Sequence, residues 1–362
     1  MMLKYRKSYP VLNHTIYANT AAFGLLGDEL LEWRQNHDLD YLIGGSSMKI
    51  DSLGLISGAR VMVGEFFKCN KDLVALVPNF SLGLNMLLEG LDSKEHILLL
   101  ENDYPSVNWP FENRGFQISY AKIDERVEQN ILEKVKTNSI TVLALSLVQW
   151  INGIRVDLDF LRSLKEEYPQ LLIIADGTQF CGAFEMDFEN SGIDVLGASG
   201  YKWLLAGTGN GFMLFKDLVK RRFRIKAIGF NSANAVIAAK NTIPFNKHFE
   251  PGHLDSLNFG SLKRALEILN AIGMKEITAH IENLSNKAIL GFNELGLLNK
   301  DIVLRNQHST IFNIKGNDLL FNHLIDENVL CSRRGEGIRL SFHYYNTVED
   351  IDSILEIIRK LL

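Results

Sequence analysis

The sequence predicts an α/β protein: a three-layer α/β/α unit on a mostly parallel sheet, followed by a small α+β unit. Three observations carry that reading. Between residues 72 and 215, short apolar runs alternate with amphipathic helical stretches, the pattern of strands joined by crossover helices. Glycines and small polar residues punctuate the tips of those runs, most densely between Asp176 and Gly211. Beyond Gly273 the order changes to helix, two strands, helix, strand, helix, which marks a second packing unit. The division expected is an N-terminal segment (1–27), a large unit (28–256), and an interdomain helix with the C-terminal unit (257–362).

In chain order, residues 1–20 read as irregular. Apolar positions spaced by three and four predict helices at 28–41 and 51–67, separated by Gly44-Gly45-Ser46-Ser47. Strands are expected at 73–77, 96–101, 115–120, 140–148, 171–175, 194–199 and 210–215, with helices at 79–91, 125–137 and 158–168. Residues 228–256 are loop-like and precede a long helix at 257–273. The C-terminal unit reads as helix 275–297, strands 301–305 and 309–314, helix 317–328, strand 337–343 and helix 347–361.

Composition narrows the function classes. With 46% hydrophobic and 22% charged residues the chain builds a large core, and a net charge of −5 supplies no basic face for nucleic acid or anionic lipid. Its three cysteines, Cys69, Cys181 and Cys331, lack C-x-x-C spacing, which argues for a reducing compartment and against a disulfide frame or metal cluster. The N-terminus has no signal-type apolar core and no run approaches a membrane span, so a soluble cytoplasmic protein is expected.

The chemistry concentrates in Leu171 to Phe215. One apolar run ends on Asp176, with Gln179 three residues on. The next delivers Lys202 just past its tip, and a third leaves through Gly207, Gly209 and Gly211. Ligands of parallel sheets bind at the carboxyl ends of strands, where Ser81, Tyr104, Gln149, Asp176 and Lys202 all fall. A desolvated lysine attacks an aldehyde, and an ionised acid keeps a pyridine nitrogen protonated. Together they are the skeleton of a pyridoxal 5′-phosphate (PLP) site, with Lys202 as the Schiff-base lysine. Ser81 stands where a helix N-terminus binds an anion, Tyr104 where an aromatic ring stacks on a flat one, and Arg339 suits a substrate carboxylate. Each residue alone also has an ordinary reading: a solvated lysine, a turn Asp, an N-cap at Asn79 or Ser81, a loop tyrosine, a surface ion pair.

At these residues the chain resembles the fold-type I PLP enzymes of the class V aminotransferase group. That group includes cysteine desulfurases, selenocysteine lyases, kynureninases, an isopenicillin epimerase and the phosphoserine aminotransferases. The resemblance spans nearly the whole chain and is carried by ADGTQ (175–179), SGYKW (199–203) with GTGNGF (207–212), and RLSFHYYNTVEDID (339–352). It implies the PLP-dependent transferase fold, a homodimer and a small amino-acid substrate. Lys202 is then the Schiff-base lysine, Asp176 the pyridinium partner, Gln179 a donor to the ring 3′-oxygen and Tyr104 the stacking residue. Phe80 (by its backbone), Ser81, Ser199, Tyr201 and His253 of a second copy hold the phosphate. Arg339 receives the α-carboxylate, with Arg333 as a second contact; Gln149, by its place at a strand's carboxyl end, is expected at the substrate as well. Transamination is the activity expected first; β-elimination or epimerisation on the same scaffold, and a non-catalytic PLP-binding protein, are the alternatives. Only Arg334 to Ile338 separate Arg333 from Arg339, so the cysteine loop that desulfurases carry between these positions has no room here.

Overall fold

Seven apolar runs form the central sheet: β1 (Val74–Val77), β2 (His96–Leu100), β3 (Gln117–Ala121), β4 (Val142–Ser146), β5 (Leu172–Asp176), β6 (Val195–Ser199) and β7 (Gly211–Phe215). The computed structural model describes residues 2–305 and 307–361. The spatial order is β1-β7-β6-β5-β4-β2-β3. β7 runs antiparallel to both neighbours, and the other pairings are parallel. That reversal follows from chain length: the 200–210 link from β6 is too short for a crossover helix.

Strands β4 to β7 are buried along their whole length because both faces are covered, while the edge strand β3 is exposed at Gln117 and half-buried through Tyr120. Leu143 and Leu145 of β4 enter one core with Val63, Phe67 and Leu262, while Val142 and Ala144 enter another with Leu84, Leu87 and Phe111. The first core is closed by helices α1 (Asp28–Gly44), α2 (Met48–Phe67) and, later in the chain, Ser256–Ile272. The second is closed by α3 (Phe80–Leu88) and α4 (Pro105–Glu112). α4 is an element the sequence pattern did not predict. Pro105 reads as a breaker, but it occupies the first helical turn, where a missing N–H costs nothing. Two more crossovers, α5 (Val127–Thr137) and α6 (Leu158–Glu167), follow the expected amphipathic spacing.

After α7 (Ser256–Ile272) and α8 (Met274–Glu294), a third core forms around β8 (Ile311–Lys315), β9 (Ser332–Arg334) and β10 (Gly337–Ser341). Their order is β9-β10-β8, all antiparallel. Helices α9 (Asp318–Asp326) and α10 (Val348–Arg359) complete this unit, and Thr347 and Asp350 form a capping box at the start of α10. The strand expected at 301–305 is instead a one-turn helix, Lys300–Val303. There Leu304 N–H bonds the Lys300 carbonyl at 3.0 Å and Ile302 is the one residue of the turn buried in the core. The N-terminal segment links both units: Ile16–Tyr17 pairs in parallel with Val329–Leu330, and the Gly24 N–H reaches the Tyr201 carbonyl at 2.8 Å. Gly24 lies so close to the Lys202 carbonyl that a Cβ would collide with it. Among the described residues no helix is long and apolar enough to cross a membrane.

Candidate active site

The tips of β4, β5 and β6 carry Ser146, Asp176 and Ser199, and the cleft lies over them. Tyr104, Ser146, Val148, Trp150, Asp176, Thr178, Gln179 and Lys202 line one narrow cavity there. The sequence therefore brings the predicted lysine, acid, amide and aromatic to one place.

Asp176 is held by the chain that follows it: the Thr178 N–H donates to Oδ1 at 2.8 Å. Burial pushes its carboxyl up to about 6, against the downward pull of the Thr178 bonds and the Lys202 charge. A second buried acid, Asp103, stands nearby and adds to that upward push. Asp103 accepts the N–H of Tyr104 at 2.6 Å and of Ser146 at 2.7 Å, so it ties α4 to the tip of β4. Sequence pattern alone does not single it out, since it sits in the turn three residues past the end of β2.

Lys202 is only 5% exposed. Burial lowers its ammonium to about 8; Asp176 opposes that fall, while Arg339 and Arg334 deepen it. Its Nζ lies 5.4 Å from the ring centres of both Tyr104 and Tyr201. The turn bearing it closes through Leu205 N–H to the Lys202 carbonyl at 3.1 Å, with Leu205 in the left-handed region. Burial raises the Tyr201 phenol to about 12, keeping it a neutral donor.

At the α3 N-terminus the backbone donors can be counted. Asn79 Oδ1 accepts the Leu82 N–H at 2.9 Å, which makes Asn79 the cap. The Phe80 N–H donates to Ser199 Oγ at 3.0 Å, and the Ser81 N–H is the remaining donor of this turn. Ser199 keeps its own hydroxyl proton to give. Ser81 lines a neighbouring open groove with Pro105 and Trp109 rather than the Lys202 cavity itself.

Gln179 donates to the Ala21 carbonyl at 3.0 Å and accepts from the Trp203 indole at 2.7 Å, leaving one amide proton for a ligand. Gln149, expected at the substrate, braces the loop instead. Its amide reaches the Asn102 carbonyl at 3.3 Å and the Ile151 N–H at 3.0 Å, and the neighbouring Val148 and Trp150 take the cavity face. Arg333 is likewise turned away, since it pairs with Asp318 and its register opposite Ile338 puts it on the face of the hairpin away from Arg339. The strand holding it, β9, was not foreseen, so its facing was not either. Its neighbour Arg334, exposed like Arg333, shares the Arg339 face of the hairpin, and its positive charge pushes the Lys202 and Arg339 pKa values down. His253 stands exposed on the segment before α7.

Arg339 is 2% exposed and donates to the Trp150 carbonyl at 2.8 Å. Its Nε, like the Trp150 indole N–H, is buried without a partner. Burial lowers its guanidinium to about 10, with Arg334 adding to the effect. Buried donors are nearly always paired; the Arg155 and Arg305 Nε atoms are orphaned too, but those guanidiniums meet Glu282 and Glu128, whereas Arg339 faces the cleft with no acid partner among the described residues.

These groups fit PLP. A protonated ring nitrogen needs a buried acid, a phosphate needs N–H and O–H donors, and an aldehyde needs an amine that sheds its proton. Asp176, the Ser81 and Ser199 donors, and Lys202 are those groups. A fold with this sheet order and this donor set defines a PLP-dependent enzyme, a transferase or a lyase. The chain belongs to the class-V aminotransferase family, whose model matches residues 44–354. It is 22% identical over 407 aligned residues to a protein named "Probable cysteine desulfurase" of Borreliella burgdorferi, covering 99% of this chain and 95% of that one. Among solved structures, the apo cysteine desulfurase of Thermococcus onnurineus superposes with a TM-score of 0.86 at 20% identity, over 99% of this chain and 97% of the other. A variant of C-DES carrying glycine covalently linked to its PLP cofactor gives 0.86 at 18% identity, over 97% and 98%.

Proposed function

We propose that the chain is an aminotransferase acting on a small amino acid. The observation that carries the amino-acid substrate is a buried arginine with an unpartnered donor beside the same cleft as the lysine and the acid; transamination is preferred because the three cysteines are buried, which leaves no ready thiol to carry sulfur. Lys202, Asp176, Gln179, Tyr104, Ser81, Ser199, Tyr201 and the Phe80 turn would hold PLP, with His253 of a second copy completing the phosphate site in a homodimer. When bound, the cofactor supplies an electron sink for the substrate α-carbon.

This chain's own residues do the rest. Arg339 receives the α-carboxylate, which relieves its unpaired burial and orients the α-hydrogen. Asp176, shielded from water, keeps a positive charge on the group facing it. Lys202 Nζ, lowered to about 8, is matched for taking and returning a proton near neutral pH. Tyr104 and Trp150 pack edge to face at 5.6 Å and exclude water from that transfer.

A second reading, β-elimination of sulfur, is favoured by the desulfurase names of relatives. Against a persulfide-carrying mechanism, Cys69, Cys181 and Cys331 are all buried. Burial raises the Cys69 thiol to about 11 and the Cys331 thiol to about 12, so neither is a ready nucleophile. Product analysis separates the readings. Incubation of the PLP-loaded protein with amino acids yields a keto acid and an aminated cofactor if transamination is right. Sulfide, pyruvate and ammonia from cysteine, or cysteine persulfide, pyruvate and ammonia from cystine, with the cofactor unchanged, would replace it by lyase chemistry.

A further inference from the structure

We propose that Arg334 is a second anion-binding arm of the cleft, and that the preferred substrate is a dicarboxylic amino acid. The inference rests on the amino-acid reading above and names the class within it. In the β9–β10 pair, Arg334 sits opposite Gly337 and Ser332 opposite Arg339. Residues two apart on a strand share a face, and cross-strand partners share it too. Arg334 and Arg339 therefore lie on one face, diagonal to each other, while Arg333 lies on the other and pairs with Asp318.

The hairpin tip is anchored at the cleft. Gly335 turns the chain at φ 55°, and a Cβ there would lie 3.8 Å from Ile151 Cγ2. Asn313 on β8 holds the Arg334 carbonyl at 2.7 Å. Ile151 follows Trp150, whose carbonyl accepts from Arg339. The loop that fixes Arg339 is thus the loop on which the Arg334 hairpin rests.

The charges around the cleft are also unbalanced in a telling way. Elsewhere in the chain, inward-facing arginines meet acids: Arg6 with Asp350, Arg60 with Glu250, Arg305 with Glu128. Arg339 is buried with only a backbone carbonyl as partner, and Arg334, solvent-exposed on the hairpin, bonds the carbonyl of Arg333 at 2.8 Å with no acid partner among the described residues. One α-carboxylate answers one of these cations. A second carboxylate on the same substrate answers the other and removes a positive charge that disfavours Lys202 protonation.

The test uses PLP-loaded protein and two amino acids without an α-hydrogen, 2-methylaspartate and 2-methylalanine, so that binding is read without turnover. Binding is followed by calorimetry and by the change in the cofactor's visible absorbance. The wild-type protein is expected to bind the dicarboxylic analogue about tenfold or more tightly than the monocarboxylic one. Arg334→Gln should erase that preference while leaving 2-methylalanine within about twofold, and Arg333→Gln should change neither. Equal wild-type affinity for the two analogues, or a preference that survives Arg334→Gln, overturns the role of Arg334 and leaves the amino-acid reading standing. Failure of both analogues to bind wild-type protein overturns both.

Discussion

The two ends of the cleft are built on opposite plans. At the sheet end, polar groups already have partners: Asp176 with the Thr178 N–H, Ser199 with the Phe80 N–H, Asp103 with Tyr104 and Ser146, Gln179 with Ala21 and Trp203. At the β9–β10 end, Arg339 Nε and the Trp150 indole are buried without one. The sheet end is thus fixed by folding itself, whereas the arginine end holds interactions in reserve. A group whose desolvation is already met when the chain folds gains its full interaction only when ligand arrives, so preorganisation is concentrated where discrimination is needed.

The largest effect expected tests the reserve directly. Arg339→Met should weaken amino-acid binding by about 2–5 kcal/mol while changing the ligand-free Tm little, because no acid loses its partner. Calorimetry and thermal melts on the same variant check it; a Tm loss matching the binding loss would make Arg339 a structural residue and erase the contrast.

Asp176 offers the next largest effect, and its sign can be worked out. Its carboxyl is raised from 3.8 to about 6 in the fold, so the folded chain prefers the protonated form. That contribution is complete below the unfolded value and is lost as pH rises through 6. Above that, ligand-free Asp176→Asn should be more stable than wild type by about 1–3 kcal/mol, with the gap closing toward pH 4. Denaturant melts at several pH values measure this. A gap that grows on acidification would contradict the assigned burial.

Lys202 sharpens the same end kinetically. With its ammonium at about 8, cofactor uptake by the apo-protein should quicken by about tenfold per pH unit well below that value and level off above it. Stopped-flow absorbance with added PLP gives the profile, and a plateau reached only near the ordinary lysine value would mean that Nζ is solvated. The smallest effect belongs to Ser199→Ala, which leaves the Phe80 N–H unpaired and should cost about 1 kcal/mol of stability. An unchanged Tm with weaker PLP affinity would assign that hydroxyl to the phosphate alone.

Much of this was legible before coordinates. Strand tips ending in Asp176 and Ser199 could be read from apolar runs that stop at a polar residue, and Arg339 from alternation along 338–342. What escaped reading has physical reasons. α4 was hidden because prolines 105 and 110 look like breakers, and helix 300–303 because Ile302 and Leu304 mimic strand alternation. The choice between Arg333 and Arg334 needed β9, a three-residue strand too short to declare a period. Gln149 escaped because β4 ends at Ser146, three residues earlier, so Gln149 falls in the turn beyond the strand, where it bonds Asn102 and Ile151 while Trp150 takes the cleft side.

One measurement bears most directly on the central claim that Lys202 is the reactive amine of this cleft. The PLP-loaded protein would be reduced with borohydride, digested and mapped by mass spectrometry. The account predicts a single pyridoxyl adduct, on Lys202, that is absent from Lys202→Ala. An adduct carried by any other lysine in the wild-type protein would contradict it.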